Sequence, residues 1–93
     1  MLNKVMFVYE FVGRTANQVG RINRQLFGYM DKSNHGKYRY WRDGLLSKVW
    51  HKRLARGVLL TDKSNDSDVM DALESVGAKK ITRYYITVNK IKE

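Results

Sequence analysis

The sequence predicts an α+β domain in which two helices cover one face of an antiparallel sheet. Three observations carry that expectation. Short β-branched and aromatic runs recur along the chain, two amphipathic helical stripes lie between them, and a glycine follows each stripe. Ninety-three residues fill one small core, and no repeat, low-complexity segment or linker divides them, so residues 1–93 are expected to form one domain.

Residues 4–12, KVMFVYEFV, read as a buried strand that ends at Gly13. Thr15 opens a helix, and Gln18 completes a T-x-x-Q capping box. Ala16, Val19, Ile22, Leu26, Phe27 and Met30 make its apolar stripe, and Gly28 stops it. Asn23 falls inside that stripe, either as a buried, hydrogen-bonded side chain or as a dimer contact. Residues 31–36, DKSNHG, are turn-rich and predict a loop. KYRYWRDGLLSKVW then predicts a hairpin about Asp43-Gly44, with Trp41 opposite Leu46, Tyr40 opposite Ser47 and Arg39 opposite Lys48. That last pair sets two cations face to face, which favours an anion above them.

Residues 57–61, GVLLT, are a second buried-type strand. Val69, Met70, Leu73 and Val76 make the apolar side of a second helix stopped by Gly77, and Asp66 and Asp68 suit the positive end of its dipole. In the last strand, residues 80–89, Ile81, Arg83, Tyr85 and Thr87 share one face; Thr82, Tyr84, Ile86 and Val88 share the other. The order is β-α-β-β-α-β, that of a ferredoxin-like two-layer sandwich with an antiparallel sheet, and the hairpin offers an added strand.

The formal charge is +9, and it is unevenly spread. Residues 13–57 hold eleven Lys and Arg against Asp31 and Asp43, whereas residues 58–78 hold Lys63 against five acids. Such a field favours a polyanion and orients it. There is no cysteine, which excludes disulfides and thiolate metal sites. No apolar run approaches the roughly eighteen residues of a membrane span, and no helix pairs a basic face with a large exposed apolar one, so a membrane is not an expected partner. MLNKVMFVYEFVG contains Glu10 and no small-residue cleavage pattern; it reads as a strand rather than a signal peptide, and a cytoplasmic location is expected.

On the first helix, Arg14, Gln18, Arg21 and Gln25 fall within about 60° of one another, flanked by Asn17 and Arg24. Guanidiniums and side-chain amides are the groups that pair with base edges and phosphates. Glu and Lys, which a solvated face normally mixes, are absent from it. Downstream, Tyr38, Tyr40, Trp41 and Trp50 alternate with Lys37, Arg39, Arg42, Lys48, Lys52 and Arg53. Aromatic rings stack on bases while cations track phosphates, and a hairpin can enter a duplex groove. At least half of these aromatics are expected in the core, with cations snorkelling from the other face. The main expectation is a small basic protein that binds DNA or RNA through Arg14, Arg21, Arg24, Gln25, Lys37, Tyr38, Arg39, Tyr40, Trp41, Arg42, Lys48, Lys52, Arg53 and Arg56.

The layout resembles the RNA recognition motif. MFVYEF, residues 6–11, stands where that family has its first-strand hexamer, and the resemblance puts Phe7 at a stacking position. RGVLLTD, residues 56–62, stands where the family has its second signature; Arg56 and Gly57 match, but Val58 and Leu60 replace the aromatics, so the main stacking platform is missing. LFGYMD, residues 26–31, resembles the LAGLIDADG motif of homing endonucleases, which would make Asp31 a metal-binding carboxylate, although Lys32 and Ser33 depart from the pattern.

No catalytic residue, metal or cofactor is predicted. His35 and His51 are sixteen residues apart, without metal-site spacing, and no phosphate-binding glycine loop or nucleophile elbow is present. DKSNDSDVMD lacks the central Gly and terminal Glu of a calcium loop. The balance is against an enzyme. Two other readings stand beside nucleic-acid binding: a homodimeric protein-interaction or regulatory module, and a metal-dependent nuclease using Asp31, His35 and Glu10.

Overall fold

Residues 2–33 and 35–89 are described by a computed structural model. The elements are β1 (Leu2–Glu10), α1 (Ala16–Phe27), β2 (Tyr29–Ser33), β3 (Tyr38–Arg42), β4 (His51–Ala55), β5 (Val58–Asp62), α2 (Asp66–Ser75) and β6 (Lys79–Val88), with a 3-10 turn at Lys63–Asn65.

Alternation along β1 sets the architecture. Val5, Phe7 and Tyr9 are buried on one face, while Met6 and Val8 are half-buried on the other. β1 lies inside a four-stranded antiparallel sheet of order β4-β5-β1-β6. Phe7 faces Leu59 and Val5 faces Thr61 across the β1–β5 ladder. Both helices pack over this face: Ile22 and Leu26 from α1, and Val69, Ala72 and Leu73 from α2, join Val5, Phe7, Tyr9 and Leu59 in one core. The result is a two-layer α+β sandwich. In β6, Arg83 faces Phe7 and Tyr85 faces Val5, while Tyr84 faces Met6 and Ile86 faces Lys4, which is the alternation expected from the sequence.

The caps of α1 also follow the sequence. Thr15 Oγ1 accepts from the Gln18 N–H at 3.2 Å, and Gln18 Oε1 accepts from the Thr15 N–H at 2.8 Å. Gly28 closes the helix with φ 81, its N–H bonding the Arg24 carbonyl at 2.9 Å.

The predicted hairpin about Asp43-Gly44 is corrected. β3 pairs backwards with β2, in the register Tyr29 to Arg42, Met30 to Trp41, Asp31 to Tyr40, Lys32 to Arg39 and Ser33 to Tyr38. Three residues of the expected loop at 31–36 therefore belong to a strand, and Met30 leaves the α1 stripe for that strand. His35 and Gly36, at φ 58 and 83, supply the positive backbone angles that a tight hairpin connection requires.

Asp43-Gly44 serves a different purpose. It returns the chain to the end of α1, where the last helical carbonyls have no partner within the helix. Leu45 and Leu46 donate their N–H groups to the Gln25 and Leu26 carbonyls, each at 2.8 Å, and the Leu46 side chain enters the core. The β2–β3 ribbon is thus a separate two-stranded sheet between α1 and β4. The uninterrupted βαββαβ order is not met.

Candidate nucleic-acid interface

The ribbon alternates like any strand pair, but neither of its faces is covered by a helix or a second sheet. Tyr29, Asp31, Ser33, Tyr38, Tyr40 and Arg42 share one face; Met30, Lys32, Arg39 and Trp41 share the other. All five residues of β3 are exposed, with Tyr38 at 55%, Tyr40 at 41% and Trp41 at 53%. Trp50, which precedes β4, is also exposed. The expectation that at least half of these aromatics fill the core is therefore wrong: the core is complete without them.

Arg39 faces Lys32 rather than Lys48. The like-charge pairing survives with a different partner, and neither cation has an ion-pair partner among the described residues. Other ribbon groups are held in place. Arg42 Nε donates to Asp31 Oδ2 at 3.0 Å, and its guanidinium lies 4.7 Å from the Tyr40 ring centroid. The hydrogen bond to Asp31, with Tyr40 assisting, raises the Arg42 pKa further and keeps it cationic. Trp41 Nε1 donates to Asp43 Oδ1 at 2.7 Å, which fixes the indole at the ribbon base.

At that base lies a cleft of about 650 Å³ between the ribbon and the outward face of α1. Arg21, Arg24 and Gln25 line it from the helix, and Tyr29, Arg42, Asp43, Gly44 and Leu45 line it from the ribbon and the returning chain. The Arg24 guanidinium stands 5.2 Å from the Tyr29 ring centroid. Three guanidiniums and an amide converge there, a donor set suited to phosphate oxygens.

The remaining predicted residues divide. Lys37 sits beside the ribbon turn, its ammonium 5.9 Å from the Tyr38 centroid. Arg14, Arg53 and Arg56 line a second cleft, against Tyr9 and Phe11. Lys48 is exposed in the turn after the ribbon. Lys52 faces Leu60 on the sheet side away from the helices. Gln18 is committed to its cap.

Two family-based placements are corrected. Phe7 is fully buried under the helices instead of offering a stacking face. Asp31 lies inside β2 rather than at a helix end, and its carboxylate is bonded by Arg42. Glu10 pairs with Lys80 at 3.6 Å, His35 sits at the ribbon turn, and no group of three His, Asp or Glu among the described residues could hold a metal. Among the described residues no helix is long and apolar enough to cross a membrane.

Sequence reasoning missed Tyr29, Met30 and Lys32 as surface partners of β3. A partial signal was present: YMDKS and YRYWR both carry aromatic residues, and the chain between them contains Gly36. The Asp-Gly dipeptide simply outweighed it. Compared with known proteins, the chain matches no family model, no curated sequence and no solved structure.

Proposed function

We propose that this protein binds nucleic acid through the β2–β3 ribbon and the cleft at its base. The observation that carries this reading is the exposure of Tyr38, Arg39, Tyr40 and Trp41 on a ribbon whose root opens onto Arg21, Arg24, Gln25 and Arg42. Exposed aromatic side chains cost solvation unless a partner covers them, and bases offer flat apolar faces while phosphates satisfy the cations between. In this reading the cleft holds backbone phosphates and the ribbon contacts bases or enters a groove wide enough for two strands.

The fold reading that accompanies it is a ferredoxin-like sandwich carrying an inserted ribbon. With β2 and β3 set aside, the order along the chain is β1-α1-β4-β5-α2-β6, and the sheet order β4-β5-β1-β6 supports the split βαβ arrangement.

The test is a salt-titrated binding assay over single-stranded DNA, duplex DNA and structured RNA. Binding to duplex is expected to weaken with a log–log slope of about −0.9 per phosphate contacted. A flat salt response, or no binding at low salt, overturns the proposal.

A second reading, self-association, is favoured by the sheet face that carries no helix, where Leu2 and Tyr84 are exposed beside Met6, Val8 and Ile86. Light scattering with and without nucleic acid separates the two readings: a stable dimer without nucleic-acid binding supports the second.

A further inference from the structure

The second cleft lies on the opposite flank of α1. Its helical lining is Ala16, Val19 and Asn23, centred about 160° around the helix axis from Arg21, Arg24 and Gln25. It holds about 520 Å³, within the usual range of small-molecule pockets. Its floor is apolar: Tyr9 is buried, and Phe11 meets it edge-on with centroids 5.6 Å apart. Its rim is cationic and comes from three separate places in the chain, Arg14 before α1, Arg53 on β4, and Arg56 in the β4–β5 turn.

The rim is built rather than incidental. Tyr9 donates its N–H to the Gly57 carbonyl at 2.9 Å, so the turn carrying Arg56 is clamped to β1. A Cβ on Gly57 would stand 2.6 Å from the Tyr9 oxygen, and its φ is 74, so glycine is required for that clamp. The Arg53 guanidinium is held 4.2 Å from the Phe27 ring centroid by a cation–π contact. None of the three arginines has a carboxylate partner among the described residues; Glu10 also lines the cleft, and its carboxylate pairs with Lys80 at 3.6 Å. The first turn of α1 carries no acid, so its free N–H groups add to the positive field.

We propose that this cleft binds the phosphomonoester of a nucleotide, with the base against Phe11 and within reach of the Asn23 amide. A dianionic phosphate accepts from several guanidiniums at once, and an amide that both donates and accepts can pair with a base edge. The same chemistry is offered by a free nucleoside monophosphate and by the phosphorylated end of a strand. The site does not depend on the ribbon.

The test titrates the full chain with adenosine 5′-monophosphate and with adenosine, followed by chemical-shift perturbation. Saturable binding of the monophosphate is expected, with adenosine at least about tenfold weaker and Arg56→Gln costing about tenfold, as for hydrogen bonds to a charged group. Arg39→Ala, on the ribbon, is expected to leave this binding unchanged, which keeps the outcome separate from that of the ribbon proposal. Short strands with and without a 5′-phosphate, bound to the Arg39→Ala variant, identify the source. Preference for the phosphorylated end assigns strand ends, and equal affinity assigns the free nucleotide. The proposal is overturned if monophosphate and adenosine bind alike, or if Arg53→Gln/Arg56→Gln retains native circular dichroism and full monophosphate affinity.

Discussion

Gly44 is packed against the backbone of Gly28: a Cβ on Gly44 would stand 2.3 Å from the Gly28 nitrogen and 2.6 Å from the Leu26 carbonyl oxygen. The two legs of the ribbon therefore meet at its root, directly over the end of α1. A bare two-stranded ribbon is marginal in water. Here its orientation is set by this contact, by the Leu45 and Leu46 bonds to α1, and by the burial of Leu46.

Gly44→Ala must open that root, because the obstructing atoms are backbone. Overpacking of this kind costs about 1–3 kcal/mol, and for a domain of this size 2 kcal/mol lowers Tm by roughly 10 °C. Gly20 is the control: it lies inside α1, and a Cβ there meets nothing within 4 Å. Gly20→Ala is expected to stabilise by up to about 1 kcal/mol. Thermal melts of the two variants decide it, and a Gly44→Ala variant as stable as Gly20→Ala would contradict the close approach.

Arg39 and Lys32 sit opposite each other with no acid between them, an arrangement that costs stability unless an anion covers it. Arg39→Ala should leave Tm unchanged or slightly higher, by no more than about 1 kcal/mol of stability. The same change should weaken nucleic-acid binding and reduce the magnitude of the salt slope by about 0.9. Stability and affinity moving in opposite directions is the signature of a cation kept for a ligand. A fall in Tm with no change in slope would assign Arg39 a structural part instead.

The sandwich was legible because its signals are local and redundant. β1 alternates, Thr15 and Gln18 form a reciprocal cap, and Gly28 sits where only a positive φ closes the helix. The ribbon was legible in composition but not in pairing. Asp43-Gly44 carries the strongest hairpin dipeptide in the chain, yet its glycine is needed for a contact with Gly28 and Leu26, residues sixteen and eighteen positions earlier. No local pattern reports a contact of that kind. The same slip hid the ribbon-base cleft: Arg42 could be matched with Arg21 and Arg24 only once β3 was paired with β2. The second cleft depends on the Gly57–Tyr9 clamp, another contact between backbones distant in sequence.

Lys4 is buried in the sheet face away from the helices, with its ammonium bonded to Asp62 and 4.0 Å from the Trp50 ring centroid. Asp62→Asn removes the counter-charge and leaves the ammonium a neutral amide oxygen and the indole. Breaking a fully buried pair costs about 3–5 kcal/mol; because the Asp62 side chain is 39% exposed, a smaller loss of about 1–3 kcal/mol is expected. Lys4→Met removes the charge along with the need for a partner, so Lys4→Met/Asp62→Asn should regain most of that loss. Urea midpoints of the two single variants and the double variant test this. A double variant no more stable than Asp62→Asn would show that the pair is not what holds Lys4 there.

Alkaline pH should destabilise the fold through Tyr9. Burial disfavours the phenolate and raises the pKa above the ordinary tyrosine value of 10.0, against a smaller opposing pull from Arg53. Between the unfolded and folded values the native state keeps a proton that the unfolded chain has lost. Stability is therefore full below about pH 10 and falls as pH rises through the unfolded value toward the folded one. Tyr85 acts in the same direction: its O–H donates to Asp66 Oδ2 at 2.6 Å, and that hydrogen bond holds the proton, although the exposed position lets solvent screen the effect. Tyr9→Phe should flatten the fall in urea midpoint above about pH 10, leaving the weaker Tyr85 contribution. Tyr9 and Arg53 line the same cleft, so a phenolate formed there would neutralise part of the cationic rim. Nucleotide affinity should then decline in the wild type only at the higher pH where the folded Tyr9 itself loses its proton, and persist in Tyr9→Phe. Identical pH profiles for the two proteins would remove Tyr9 from both arguments.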